Sequence, residues 1–143
     1  MTPGQVLLVR ASFAKFAELG DQAAGLFYER LFTLDPGLRP LFGVDLAAQR
    51  RKLLTALAAV VGGLDRLDEI LPAVRELGRR HARYGAEPGH YATVGRALIS
   101  TLEQGLGAGF TPATRRAWLE AYNLLACIMI AAAEAALRER PAA

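Results

Sequence analysis

With 143 residues, 52% of them hydrophobic and 22% charged, the chain has the length and apolar content for one domain around a sizeable core, and it excludes a disordered polymer. The formal charge of +3 is spread over Arg50-Arg51-Lys52, Arg79-Arg80, Arg83 and Arg115-Arg116, all in helical patterns without interleaved aromatics, which argues against a nucleic-acid partner. A single cysteine, Cys127, excludes an internal disulfide and fits a reducing, cytoplasmic compartment.

Met1 to Lys15 lacks the charge-then-apolar order of a signal peptide. The longest apolar run, Leu124 to Ala133, is too short to span a bilayer, so no membrane insertion is expected.

In chain order, Thr2-Pro3-Gly4-Gln5 offers an N-cap, a proline at the first helical position and a capping-box glutamine. The helix it starts runs to about Leu19 and ends at Gly20. Asp21 is placed to cap a second helix, whose Ala24, Phe27, Tyr28, Leu31 and Phe32 follow helical spacing. Asp35-Pro36 stops it and begins a short helix leading to Leu41-Phe42. Asp45 caps a fourth through Val61, closed by Gly62-Gly63. A fifth spans roughly Asp68 to Tyr84, with Gly85 as its C-terminal signal. Pro72 inside it implies either a start near Ile70 or a kink. Pro88-Gly89 opens a sixth through Leu106, and Thr111-Pro112 a seventh to about Arg138. Strand patterns are absent, so the fold class is all-α, with six or seven helices in a single domain over residues 1–143. The stretch Gly105 to Phe110 is a turn between helices, because a dinucleotide loop requires a preceding strand.

Polar residues on apolar faces carry the functional information. The inward stripe of the fifth helix is Ile70, Leu71, Val74, Leu77 and His81, so His81 points among apolar neighbours. Such a histidine is either a hydrogen-bonded core residue or a ligand, and an apolar wall around a neutral imidazole suits a porphyrin. Gln49 interrupts the stripe Leu46, Leu53, Leu57, Val60, Leu64 on the fourth helix, and Tyr28 shares the face of Ala24, Leu31 and Phe32 on the second. His90, the only other histidine, opens the sixth helix, where a surface or packing role is expected. Tyr91, Val94 and Leu98 form that helix's inward stripe. A flat apolar cofactor between the fourth and fifth helices, with His81 on one side and Gln49, Tyr28 and Leu53 on the other, uses all these oddities together.

Six segments, LFYERLF (26–32), DPGLRPLF (35–42), QRRKLL (49–54), LGRRHARYG (77–85), HYATVG (90–95) and AWLEAY (117–122), span nearly the whole chain. In this order they resemble bacterial single-domain globins of the flavohaemoglobin lineage, the Hell's Gate and Vitreoscilla type. The resemblance implies the globin fold around one b-type haem, with His81 as the iron's protein ligand and Phe42 packed on the ring. It implies Tyr28 and Gln49 as the distal pair, Leu53 one turn beyond, and Lys52 and Arg80 beside the propionates. Tyr91 matches the tyrosine near the proximal histidine, and Leu77, Tyr84, Val94, Leu98 and Tyr122 complete the expected lining. Flavohaemoglobins also carry a glutamate on the last helix that bonds the proximal imidazole. An ungapped count from Tyr122 puts Ala133 there, with Glu134 one residue later. No reductase domain is expected within these residues.

The implied function is reversible binding of O2, and of NO and CO, at a pentacoordinate iron with high O2 affinity, for transport or scavenging. An alternative is nitric oxide dioxygenase activity served by a separate reductase. A ligand sensor ranks last because no output domain is expected. A monomer or weak homodimer is expected.

Overall fold

Thr2 accepts the Gln5 backbone N–H at 3.1 Å while the Gln5 side chain accepts the Thr2 N–H at 2.9 Å, and Pro3 fills the first helical position. This reciprocal cap opens α1 (Pro3–Glu18) in the computed structural model of the chain, which describes residues 1–139. Five further α-helices follow: α2 (Asp21–Leu34), α3 (Leu46–Gly62), α4 (Leu67–Arg83), α5 (Pro88–Leu106) and α6 (Pro112–Glu139). Short 3-10 turns join several of them, and no strand occurs among the described residues. The all-α expectation holds.

One helix start differs from that read in the sequence, and another is decided between its two alternatives. Asp21 does not cap α2. Gly20 does, with φ of +55°, a left-handed turn open to glycine that swings the chain directly into the helix. Asp21 is left as the first helical residue, where its carboxylate meets Arg50 Nε of α3 at 2.6 Å. The fifth predicted helix begins at Leu67, not near Ile70, so Pro72 lies inside it. The proline cannot donate to the Asp68 carbonyl, but both residues are exposed and water can serve that group. The short helix after Asp35 is a 3-10 segment, Pro36–Leu41, and Asp35 accepts the Gly37 N–H at 3.0 Å. Asp45 caps α3 as expected, accepting from Ala48 N at 3.0 Å. The glycine-rich Gly105 to Phe110 stretch is an interhelical turn with a 3-10 segment at Gly107–Gly109.

The core forms where α1, α2, α5 and α6 meet. Val9, Phe16, Leu31 and Leu102 are almost wholly buried there, with Phe27, Leu98 and Trp118 beside them. The Trp118 indole N–H reaches Ser12 Oγ at 2.8 Å, and that hydroxyl donates to the Leu8 carbonyl at 2.7 Å. The indole's polar handle is thereby satisfied inside the core. α6 is long and apolar enough to span a bilayer, which a count of its longest uninterrupted apolar run missed. In the fold it packs on α1, α4 and α5.

α3 and α4 are arranged differently. α3 leans on α1 and α2, and α4 lies along α6, while the two share no extensive contact despite being neighbours in sequence. The close approach of α4 to α6 depends on Gly78. A Cβ there would sit 2.4 Å from the Met129 carbonyl oxygen.

Candidate functional site

α4 carries His81 on its apolar stripe, two residues before the helix ends. The half-buried imidazole lies with Nδ1 2.8 Å from the Leu77 carbonyl. A carbonyl only accepts, so Nδ1 holds the proton and Nε2 keeps its lone pair for a ligand bond. The turn that closes α4 is tied to the same residue. Gly85 takes φ of +98° and the Ala86 N–H donates to the His81 carbonyl at 2.9 Å, a Schellman closure.

Support for His81 comes from two other helices. The Tyr91 ring of α5 lies 6.4 Å from the imidazole. Tyr91 is held in turn by α6, because the Tyr122 hydroxyl donates to the Tyr91 carbonyl at 2.6 Å. Gly95 makes room for this, since a Cβ there would fall 2.7 Å from the Tyr122 ring. Burial pushes the Tyr122 phenol well above its usual range, with a further push from Tyr91, and burial also raises Tyr91. Both remain neutral hydrogen-bonding groups. Glu134 is exposed, and the Nδ1 proton already has the Leu77 carbonyl as its acceptor.

The second half of the site lies on α2, α3 and the corner between them. Tyr28 is 6% exposed and surrounded by rings, with Phe27 at 5.1 Å, Phe42 at 5.4 Å and Phe32 at 6.0 Å. Its hydroxyl donates to the Gln49 backbone carbonyl at 3.3 Å. Desolvation pushes its pKa up to about 12, so near neutrality it is a phenol with a proton to donate. Gln49 sits half-buried in the first turn of α3, and its side-chain amide bonds no protein group among the described residues. Leu53, one turn on, is half-buried against the core, as are Leu57 and Val60.

Most of the expected residues fall into these two halves. Leu77 contributes its carbonyl, Val94 is half-buried, and Leu98 is buried in the core at 4% exposure. Lys52 and Arg80 are exposed, on the two helices that flank the gap, and neither pairs with an acidic side chain among the described residues. Tyr84 is a correction. It caps the C-terminus of α4 and is 66% exposed, because it lies three residues beyond His81 where the chain is already turning away into Gly85. His90 is bound to the backbone, its Nδ1 accepting from Glu87 N at 2.9 Å. Phe32 was not singled out for the site, though its place four residues after Tyr28 puts it on the same helix face.

The donor set fits a haem. Among the described residues no three histidine, cysteine or acidic side chains converge to hold an ion by themselves, so a metal at His81 needs most of its ligands from a macrocycle. The flanking helices suit a flat apolar group. Across 17 residues α3 buries only Val61, and across 17 residues α4 buries only Val74 and Gly78. Their apolar stripes are therefore left half-buried.

A helical fold in which two helices leave their apolar stripes half-buried, one of them carrying His81, defines a class of protein with room for a flat prosthetic group. The profile of the globin family matches residues 25–129, and the chain belongs to that family, which binds haem. It is 30% identical over 122 residues to the flavohemoprotein of Bacillus subtilis, covering 83% of this chain and 31% of that protein. The chain thus spans about a third of that relative's length. Among solved structures it resembles a bacterial globin from Campylobacter jejuni, with a TM-score of 0.84 and 20% identity over 96% of this chain and 100% of that one. It also resembles an engineered carbene transferase from Rhodothermus marinus, which bears the name of a nitric oxide dioxygenase. There the TM-score is 0.83 and the identity 30%, over 97% of this chain and 99% of that one.

Proposed function

We propose that this globin holds a b-type haem in the gap between α3 and α4, with His81 Nε2 as the protein ligand and Tyr28 and Gln49 on the opposite face. On this reading it binds O2 reversibly and releases it slowly. The observation that carries the reading is the His81 Nδ1 to Leu77 bond, which leaves Nε2 free on a half-buried ring amid an apolar stripe. When bound, the haem supplies an iron with one position open to a diatomic gas.

The chain's own residues then set affinity. Leu77 fixes the tautomer and the plane of the imidazole, while Tyr91, buttressed by Tyr122, limits its tilt. Phe42 and Leu53 exclude water from the ring face. Tyr28, kept protonated by its burial, turns its single proton from the Gln49 carbonyl, a long bond at 3.3 Å, to a ligand that gathers negative charge, and the unpaired Gln49 amide can add a second donor. Together these donors contribute roughly 1.5–3 kcal/mol, about a ten- to hundredfold slowing of release. Lys52 and Arg80, exposed on α3 and α4, suit the propionate carboxylates.

The expected outcome for Tyr28→Phe is O2 release at least about tenfold faster in stopped flow. An unchanged rate rejects the assignment of the distal donor. Before that, the visible spectrum of the expressed chain must carry a Soret band.

A second reading is nitric oxide dioxygenase activity with electrons from a separate reductase. Its support is the name of the Rhodothermus protein. Adding NO to the oxygenated protein does not discriminate, since carriers also react. Sustained NADH-driven conversion of NO to nitrate with an added cellular reductase does. A cytoplasmic monomer or weak homodimer belongs to the same proposal, and the exposed free thiol of Cys127 suits a reducing compartment.

A further inference from the structure

The corner between α2 and α3 is held by a side chain the site has not yet used. Arg39 lies in the last turn of the 3-10 segment Pro36–Leu41. Its Nη1 donates to the carbonyl oxygens of Phe42 and Gly43, each at 3.3 Å. The guanidinium carbon stands 5.6 Å over the Phe32 ring, close enough for a cation–π contact. Phe32 meets Phe42 edge-on at 5.6 Å, and the two rings flank Tyr28 at 6.0 and 5.4 Å. Past this clamp the backbone is exposed from Gly43 to Asp45, and Val44 is 97% exposed. No other side chain among the described residues bonds the Phe42 or Gly43 carbonyl.

We infer that Arg39 is a positioning residue for the ligand pocket: it ties the corner backbone and the Phe32 face together, and so holds Phe42 against Tyr28. The inference rests on the haem reading above. Two physical terms act at once. The two hydrogen bonds go to carbonyls at the end of a 3-10 turn, where no helical N–H follows to take them and a cation is favoured. The ring contact locks the plane of Phe32, against which Phe42 stands. Without the clamp, Phe42 is carried by a backbone with little else to hold it, and the Tyr28 hydroxyl loses one wall of its surroundings.

Methionine at position 39 keeps the apolar stem and loses the charge and both donors. Lysine keeps the charge over the ring but lacks the planar fork, so it restores the clamp in part. The test compares Arg39→Met and Arg39→Lys in the haem-loaded full chain, each with Tyr28 intact and with Tyr28→Phe. Amide exchange at Phe42, whose N–H is bonded to the Arg39 carbonyl at 3.2 Å, should quicken about tenfold in Arg39→Met while α1 and α6 keep their rates. With Tyr28 present, O2 release should quicken about three- to tenfold, and with Tyr28→Phe it should change less than about twofold, the non-additivity expected of coupled residues. Arg39→Lys should fall between.

Unchanged exchange at the corner overturns the inference. So does an equal change of O2 release in both backgrounds, which would make Arg39 a structural residue only. Should Arg39→Met fail to fold, Arg39→Lys carries the same comparison. A wild-type chain without a Soret band rejects the haem reading instead, and corner exchange measured on that chain still decides whether the clamp exists.

Discussion

The two parts of the molecule are built to different standards of burial. In the part made by α1, α2, α5 and α6, large side chains such as Phe16, Leu31 and Leu102 are shut away from water, and the lone indole N–H has its acceptor. In the part made by α3 and α4, three of 34 helical residues are buried, counting 17 in each helix with Val61 on one and Val74 and Gly78 on the other. The first part is closed by its own side chains. The second holds apolar stripes and a poised imidazole in place without closing them against each other. On the proposed reading the site draws on α3 and α4 because a pocket needs surface the fold itself has not used, while α2 and α5 lend it Tyr28 and Tyr91.

That contrast can be broken in several places, and the largest effect is expected at His81. His81→Ala should abolish the Soret band of the expressed protein while far-ultraviolet circular dichroism keeps its helical form, because no packed core residue is lost. Retention of a normal haem spectrum would remove His81 as the ligand. Trp118→Ala should do the reverse, costing about 3–5 kcal/mol in denaturant unfolding through lost volume and the lost bond to Ser12, with ligand release in the folded fraction unchanged.

Gly78→Ala should come next. Alanine favours the helix by up to about 1 kcal/mol, but its Cβ would overlap the Met129 carbonyl. A net loss of about 1–3 kcal/mol and a displaced α4 should follow, read as lower stability together with faster haem loss. Stability at high pH gives a smaller effect. The Tyr28 phenol is held at about 12 in the fold and near 10 in an unfolded chain, so the unfolded state loses its proton first. Stability is whole below about pH 10 and falls as pH rises through about 12, by up to about 2 kcal/mol. Tyr91 and Tyr122 act with the same sign. Tyr28→Phe should flatten this part of the pH profile, and a slope that does not change would place the titrating group elsewhere. The smallest effect is expected for Asp65→Asn. Its carboxyl is held below the usual range by Arg10 at 2.7 Å, but the pair is exposed and water screens it, so the melting temperature should barely move.

Some of this was legible in the chain. The Thr2-Gln5 cap, the Asp45 cap and the Gly85 closure are local arrangements, and each was correctly placed because the interacting atoms lie within a few residues. His81, Tyr28 and Gln49 stood out as polar residues on apolar stripes, and the structure puts Tyr28 beside Gln49 and His81 beside Tyr91. Where the reading failed, a competing contact was responsible. Asp21 has the chemistry of a cap, but Gly20 could turn more tightly, and Arg50 from a distant helix offered a charge. Tyr84 came from the resemblance alone, which says nothing about where the helix stops pressing on its neighbours. The role of Arg39 was hidden because Phe32, Phe42 and Gly43 lie on both sides of a turn whose geometry no spacing rule supplies.

His81 on an inward stripe, the helical punctuation and the all-α class followed from the sequence alone, since a helix's period and its caps are set by residues three or four positions apart. The tertiary structure alone decided that α3 and α4 stand clear of each other, that Gly78 and Gly95 let neighbouring helices come close, and that Tyr122 of α6 secures Tyr91 for His81. Those are contacts between segments far apart in the chain. They depend on how whole helices cross, and the burial that raises the Tyr28 pKa exists only after the rings around it have been brought together.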